Sequence, residues 1–178
     1  GTIETEDANV RIYALKGNHD CDQHNINLTA LTAFKTKTFI PVVERSFIGG
    51  ILFLPFGSEK SEPMPDARIP VMMHTEFIGA NANNGRMMDT GIPPGHFAGY
   101  GVLTGHYHKP HMVGTNIFYV GSIVQQNYGE TGNENGFYEC AVVNESIIAR
   151  LVPVSAPKYW VFDAGKVLAA DEQTLSWV

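Results

Sequence analysis

Short apolar runs alternate with polar turns along this chain, and that pattern predicts a β-rich fold. The segment from Asn27 to Phe34 is the exception, because Leu28, Leu31 and Phe34 share one face and Asn27 is a suitable cap for a short helix. The predicted strands are 10–15, 38–43, 47–54, 69–73, 100–103, 117–120, 137–143 and 146–152, with a weaker one at 159–162.

The spacing of these strands indicates how the chain is organised. The last two strong strands flank Asn144 and Glu145 and predict a hairpin. Residues 79–95 are rich in glycine, asparagine and proline and predict a long loop, while 58–66 predict another loop or a short helix. We expect an α/β (α+β), β-rich core over residues 1–152, followed by a lead-out segment over 153–178.

Composition narrows the classes of function. The 178 residues carry a formal net charge of -6, and their twelve lysines and arginines are scattered, which argues against strong nucleic-acid binding through a basic surface. Action on a phosphodiester stays open, because bound metal ions can supply positive charge locally. The two cysteines, Cys21 and Cys140, favour a reducing cytoplasm over a disulfide framework. No apolar stretch approaches the roughly 20 residues that span a bilayer.

Chemically versatile side chains follow three of the predicted strands. Asn18, His19 and Asp20 follow the first, His74 follows another, and a Gly-His-Tyr-His turn that begins at Gly105 contains His106 and His108. Because ligands gather at the carboxyl ends of strands in layered α/β folds, we expect these turns to meet at one site.

The residue types in these turns suit a pair of metal ions. In an extended segment His106 and His108 point to the same side, so each histidine can serve one of two ions that lie roughly 3.5–4 Å apart. Asn18 offers a neutral amide oxygen, which leaves His19 free to act on substrate and Asp20 to orient the His19 ring. Taken alone, each motif is more typical of an ordinary turn or a buried histidine. Their common order and strand-end position favour a functional site.

That order resembles the calcineurin-like metallophosphoesterase superfamily. Its signature contains Asp-x-His, Gly-Asp-x-x-Asp, Gly-Asn-His-Asp/Glu, a lone His and Gly-His-x-His. The last three blocks are similar to Gly17 to Asp20, His74 and Gly105 to His108. The resemblance extends roughly over residues 10–152 and implies the C-terminal part of a four-layer αββα sandwich.

Within the superfamily, the chain is most similar to the SbcD-like exonuclease subunits of bacteria and phages. The supporting residues follow the last motif and include a Gly-Ser pair, a Gly-Glu pair and a Gly-aromatic strand. These residues are Lys109 to His111, Tyr119 to Ser122, Asn127 to Glu130 and Asn135 to Tyr138.

The resemblance assigns a role to each candidate residue. It implies that one metal ion is bound by Asn18, His74 and His106, and the other by His108. His19 would contact the scissile phosphate and assist the leaving group, with Asp20 orienting it. Apart from the resemblance, His111 is a candidate residue of the substrate groove, and a surface role for it is equally open.

The activity implied is metal-dependent hydrolysis of a phosphoester, and specifically DNA cleavage during double-strand-break processing. The cofactors would be two divalent metal ions, with manganese favoured over iron, zinc or magnesium. The partners would be DNA and an SbcC-like ATPase subunit, without a membrane, in the cytoplasm.

The first two signature blocks do not occur before Gly17, so the carboxylate ligands they supply are missing from this sequence. We therefore expect an N-terminally truncated chain that is weakly active or inactive by itself, or one that another chain completes, for example in a homodimer. Two alternatives stay open. One is a phosphatase or cyclic-nucleotide phosphodiesterase of the same superfamily, and the other is a non-catalytic remnant that serves as an interaction module.

Overall fold

The computed structural model describes residues 10–22, 24–58, 69–143 and 146–161. Ten strands lie within these ranges, and they are numbered in chain order. They are β1 (Ile12–Leu15), β2 (Phe39–Val42), β3 (Ser46–Ile48), β4 (Ile51–Leu54), β5 (Val71–His74), β6 (Val102–Gly105), β7 (His111–Val113), β8 (Ile117–Tyr119), β9 (Gly136–Val143) and β10 (Ser146–Pro153).

Six of the strands form one mixed sheet in the order β3-β4-β5-β6-β8-β7. The four central strands are parallel, and the two edge strands run antiparallel to their neighbours. Apolar runs form the central strands because a parallel sheet is covered on both faces. The core is formed by residues of this sheet and of the loops beside it, and it includes Leu52, Leu54, Val71, Met73, Phe77, Phe97, Val102, Val113, Ile117 and Tyr119.

The remaining strands form two separate pairs. Strands β1 and β2 are parallel, with Leu15 opposite Val42, and β9 and β10 form an antiparallel hairpin. Lys16 N donates to Val42 O of β2, and Phe56 N, in the segment after β4, donates to Lys16 O. The turn that follows β1 is thereby held next to the carboxyl ends of the central strands.

The predicted strands at 10–15, 38–43, 69–73, 100–103, 117–120, 137–143 and 146–152 are confirmed, with shifts of one or two residues at their ends. The prediction of one strand over 47–54 is wrong. Gly49 and Gly50 both have positive φ, 59° and 82°, and they reverse the chain into the β3–β4 hairpin. Strand β7 was not predicted.

The structure corrects two more predicted elements. The predicted helix at 27–34 is a 3-10 helix over Ala30–Phe34, and Thr29 caps it in place of Asn27, because the Thr29 side chain accepts from Leu31 N. The weak strand at 159–162 is wrong for residues 159–161, which form no strand, and its last residue lies outside the described ranges. Most of the predicted 58–66 segment also lies outside them.

The β-rich α+β class is confirmed. Within the described ranges, the helical segments are 3-10 helices of three to five residues. No helix there is long and apolar enough to cross a membrane. Strand β10 ends at Pro153. The division into 1–152 and 153–178 and the four-layer sandwich both stay predictions.

Candidate metal centre

Three strand ends bring Asn18, His74 and His106 together. Asn18 follows β1, His74 is the last residue of β5, and His106 follows β6 directly. Asn18 Oδ1 lies 2.9 Å from His74 Nε2 and 3.4 Å from His106 Nδ1. The two imidazole rings meet edge to face, with their centroids 5.5 Å apart. Asn18 Oδ1 therefore lies within hydrogen-bonding distance of one nitrogen on each ring.

Two glycines enclose the His74 ring. A Cβ atom on Gly17 would lie 2.9 Å from His74 Cε1, and one on Gly105 would lie 2.8 Å from His74 Nδ1. Any larger residue at either position would displace the ring or the backbone. The glycines of the Gly-Asn-His-Asp and Gly-His-x-His motifs thus have a shared packing reason, which is to fit His74 between the two loops.

The backbone at His106 is strained. Its φ of 105° makes it the only non-glycine residue with positive φ among the residues that the structure describes. Residues with a Cβ atom rarely adopt such a conformation, and it persists only where the surroundings impose it. Here the register of β6 against β5 places Gly105 opposite His74, and the chain turns sharply right after this pair.

Electrostatics keep both histidines neutral. Burial, followed by the neighbouring His106, lowers the pKa of His74 to about 4, although Asp20 acts in the opposite direction. Burial also lowers the pKa of His106, despite the opposing effect of Glu76. Neutral imidazole is the form that carries a free nitrogen lone pair for a metal ion.

The cluster fits a divalent metal ion. Two donors that lie about 2.1 Å from one ion are about 3.0 Å apart at right angles and about 3.4 Å apart in a tetrahedron, close to the two separations measured here. The donor set of imidazole nitrogen and amide oxygen suits zinc, iron or manganese. Across the described ranges, no group of three or more histidine, cysteine, aspartate or glutamate side chains is arranged to hold a metal ion, and the cluster itself contains only two such residues.

Two tyrosines fix the segment that leaves His74. The fully buried Tyr119 hydroxyl accepts from Phe77 N and donates to Thr75 O, both at 3.0 Å. The Tyr107 hydroxyl donates to Glu76 Oε1 at 2.9 Å. These bonds hold the chain on the far side of His74, which limits how far its ring can move.

His108 lies beside the cluster, and its charge would lower the pKa of His106. Its backbone N–H donates to Asn83 Oδ1 at 2.7 Å, so the predicted 79–95 loop reaches the candidate centre. Its Nδ1 lies 2.7 Å from Oε1 of Glu130, a carboxyl that is only 2% exposed. The sequence assigns Glu130 no role beyond its membership of the Gly-Glu pair, because its position in the sequence does not reveal its burial.

The predicted catalytic pair, His19 and Asp20, lies in the turn that follows β1. His19 is exposed, and it lies near enough to His74 and His106 to lower the pKa of both. Asp20 Oδ2 accepts from Gly17 N at 2.7 Å, and the described hydrogen bonds show none between Asp20 and His19. Asp20 therefore stabilises the turn, and its predicted role in orienting His19 stays a prediction.

The structure gives His111 a structural position. Its Nε2 accepts from Asn81 N at 3.0 Å, its Nδ1 donates to Lys109 O at 2.8 Å, and its ring stacks on Tyr119 at a centroid distance of 4.6 Å. Both ring nitrogens are thus occupied by backbone groups. The predicted contact with substrate is not tested by this geometry.

Comparisons with known proteins add no family at this point. No protein-family model matches the chain. No curated protein matches it either.

Proposed function

We propose that this chain carries a metal centre of a metal-dependent phosphoester hydrolase whose substrate is DNA. The observation that carries the proposal is the convergence of Asn18 Oδ1, His74 Nε2 and His106 Nδ1 within 2.9 and 3.4 Å. The enclosure of His74 by two glycines and the positive φ of His106 support it, because backbone strain and tight packing of this kind cluster at functional sites.

A bound divalent ion would supply a nucleophilic water at neutral pH and charge to neutralise the phosphate. The chain's own residues perform the other tasks. Asn18, His74 and His106 would hold the ion, and the hydroxyl groups of Tyr107 and Tyr119 fix the segment that follows β5. His19 is exposed beside the cluster and is placed to donate a proton to a leaving oxygen.

The choice of DNA rests on the resemblance of residues 109–138 to SbcD-like nucleases. The net charge of -6 is compatible with this choice if metal ions provide the local positive charge. The same resemblance underlies the proposed second ion at His108, the preference for manganese, the SbcC-like ATPase partner and the location in the cytoplasm.

Metal content per chain tests the centre. The protein is dialysed against limiting Mn²⁺ or Zn²⁺, and bound metal is measured by elemental analysis for the wild type and His106→Ala. We expect about one ion per chain in the wild type, held by three protein ligands, and its loss in the variant. His24→Ala is the matched control, because His24 is exposed and its backbone N–H bonds only locally to Asp22. Equal metal content in all three proteins would contradict the proposal.

Substrate class is tested separately. Hydrolysis of linear duplex DNA, a phosphopeptide and a cyclic nucleotide is compared in the presence of Mn²⁺, with His106→Ala as the blank. A preference for DNA that the variant abolishes supports the nuclease. A preference for either other substrate supports the alternative phosphatase or phosphodiesterase, and metal binding without turnover on any of them supports the non-catalytic alternative for this chain.

A further inference from the structure

Glu130 is a buried carboxyl group surrounded by hydrogen-bond donors. It is 2% exposed and lies in the 3-10 helix Tyr128–Glu130. Oε1 lies 2.7 Å from His108 Nδ1 and 2.8 Å from Asn127 Nδ2, while Oε2 accepts from Gln126 N at 2.9 Å. A buried carboxylate is costly unless it is paired and hydrogen-bonded, and here both of its oxygens are.

Backbone N–H groups, which can only donate, fix the direction of these hydrogen bonds. Gly129 N donates to Asn127 Oδ1 at 2.9 Å, so the Asn127 amide must present its NH₂ group to Glu130. The backbone N–H of Gln126 is also a donor by nature. Both oxygens of Glu130 therefore accept, and because a carboxylate has no proton to donate, His108 Nδ1 is the donor to Glu130 in its carboxylate form.

We propose that Glu130 is a positioning residue that holds His108 in the Nδ1–H tautomer, with its Nε2 lone pair free for a metal ion. The value of this orientation rests on the proposed function, whereas the tautomer itself does not. Histidine ligands commonly donate their second ring nitrogen to a carboxylate in this way, and this contact fixes both the tautomer and the ring angle.

The segment that carries Glu130 also holds the backbone of His108. His108 O accepts from Ser122 N at 2.9 Å. Gly121 has a φ of 74°, and a Cβ atom there would lie 2.8 Å from His108 O. Residues 121–130 thus fix His108 at two places, its carbonyl oxygen and its ring nitrogen, which is more than capping a local turn would require.

Nitrogen NMR reads the tautomer directly. Long-range ¹H–¹⁵N spectra of the metal-free protein distinguish a protonated Nδ1 from a protonated Nε2. We expect His108 to show the Nδ1–H pattern in the wild type and in Glu134→Ala, a control that removes an exposed carboxyl group from the same loop. In Glu130→Ala we expect the ratio of Nδ1–H to Nε2–H forms to fall about tenfold or more, because a charge-assisted hydrogen bond is lost.

A second variant, Glu130→Gln, is measured beside Glu130→Ala and the wild type, so that the tautomer test does not depend on the folding of one variant. Glu130→Gln keeps the shape and one acceptor oxygen, so an intermediate tautomer ratio is expected even if the alanine variant does not fold. An Nε2–H pattern in the wild type, or an unchanged ratio in both folded variants, would overturn the inference. An Nδ1–H wild type that binds no metal at Asn18, His74 and His106 would instead refute the proposed function and leave the tautomer assignment standing.

Discussion

Replacing Tyr119 by phenylalanine removes one oxygen atom that connects β8 to the chain leaving His74. That hydroxyl accepts from Phe77 N and donates to Thr75 O, each at 3.0 Å, and both Tyr119 and Phe77 are completely buried. The aromatic contacts of the ring with Phe77, Tyr107 and His111 are retained in phenylalanine. The substitution therefore isolates the two hydrogen bonds.

The expected cost follows from what each bond satisfies. The buried N–H of Phe77 loses its acceptor, which costs about 1–3 kcal/mol, and loss of the bond to Thr75 O adds about 1 kcal/mol. The free energy of unfolding should fall by roughly 2–4 kcal/mol. That is a large share of the 5–15 kcal/mol typical of a folded domain.

Equilibrium urea unfolding of the wild type and Tyr119→Phe measures this difference, and amide hydrogen exchange at Phe77 locates it. Tyr128→Phe is the control, because Tyr128 is 67% exposed and its loss should change stability by less than about 0.5 kcal/mol. Equal unfolding curves for wild type and Tyr119→Phe, with unchanged exchange at Phe77, would refute the claim that this hydroxyl fixes the exit from β5.

Two further predictions concern packing and pH. Gly105→Ala should displace the His74 ring, lower the free energy of unfolding by about 1–3 kcal/mol and abolish metal binding. Gly95→Ala is the control, because its Cβ would meet nothing within 4 Å, and it should leave both quantities unchanged. Unfolding curves and metal content per chain measure the two effects. Burial raises the pKa of Tyr119, and burial with the Glu76 hydrogen bond raises that of Tyr107. In the unfolded chain the phenols ionise near pH 10, so the free energy of unfolding should be at its full value below that pH. Above it, the free energy of unfolding should fall by up to about 1.4 kcal/mol per pH unit for each tyrosine. Tyr119→Phe should show a shallower decline than the wild type, and parallel declines would contradict this prediction.

The sequence predicts best those strands whose buried residues form a run of consecutive apolar positions. Strand β5 begins with the apolar run Val71 to Met73 and strand β6 with Val102 and Leu103, and most of these residues are buried, so their runs stand out. Strand β7 escaped prediction because it has three residues and begins with His111. The β3–β4 turn was missed because the apolar residues on both sides of Gly49 and Gly50 look like one continuous run.

Some residues of the candidate centre could be predicted from the sequence and others could not. Asn18, His74 and His106 could be found because each lies at or just after the carboxyl end of a strand, where ligands gather in layered α/β folds. The contact between His108 and Glu130 could not, because 22 positions separate them and nothing local marks Glu130 as buried. The packing of Gly17 against His74 was equally hidden, since a close approach between loops depends on how β1 and β5 are placed in space.

The positive φ of His106 lowers the stability of the fold, while the imidazole at this position supplies one donor of the cluster. Glycine is the residue that such a backbone favours, and a selection for thermal stability alone would be free to replace His106 with it. The resulting protein would gain a relaxed turn and lose one of the three converging donors. The imidazole of His106 thus occupies a backbone conformation that favours glycine, at a cost in stability on the order of 1–3 kcal/mol.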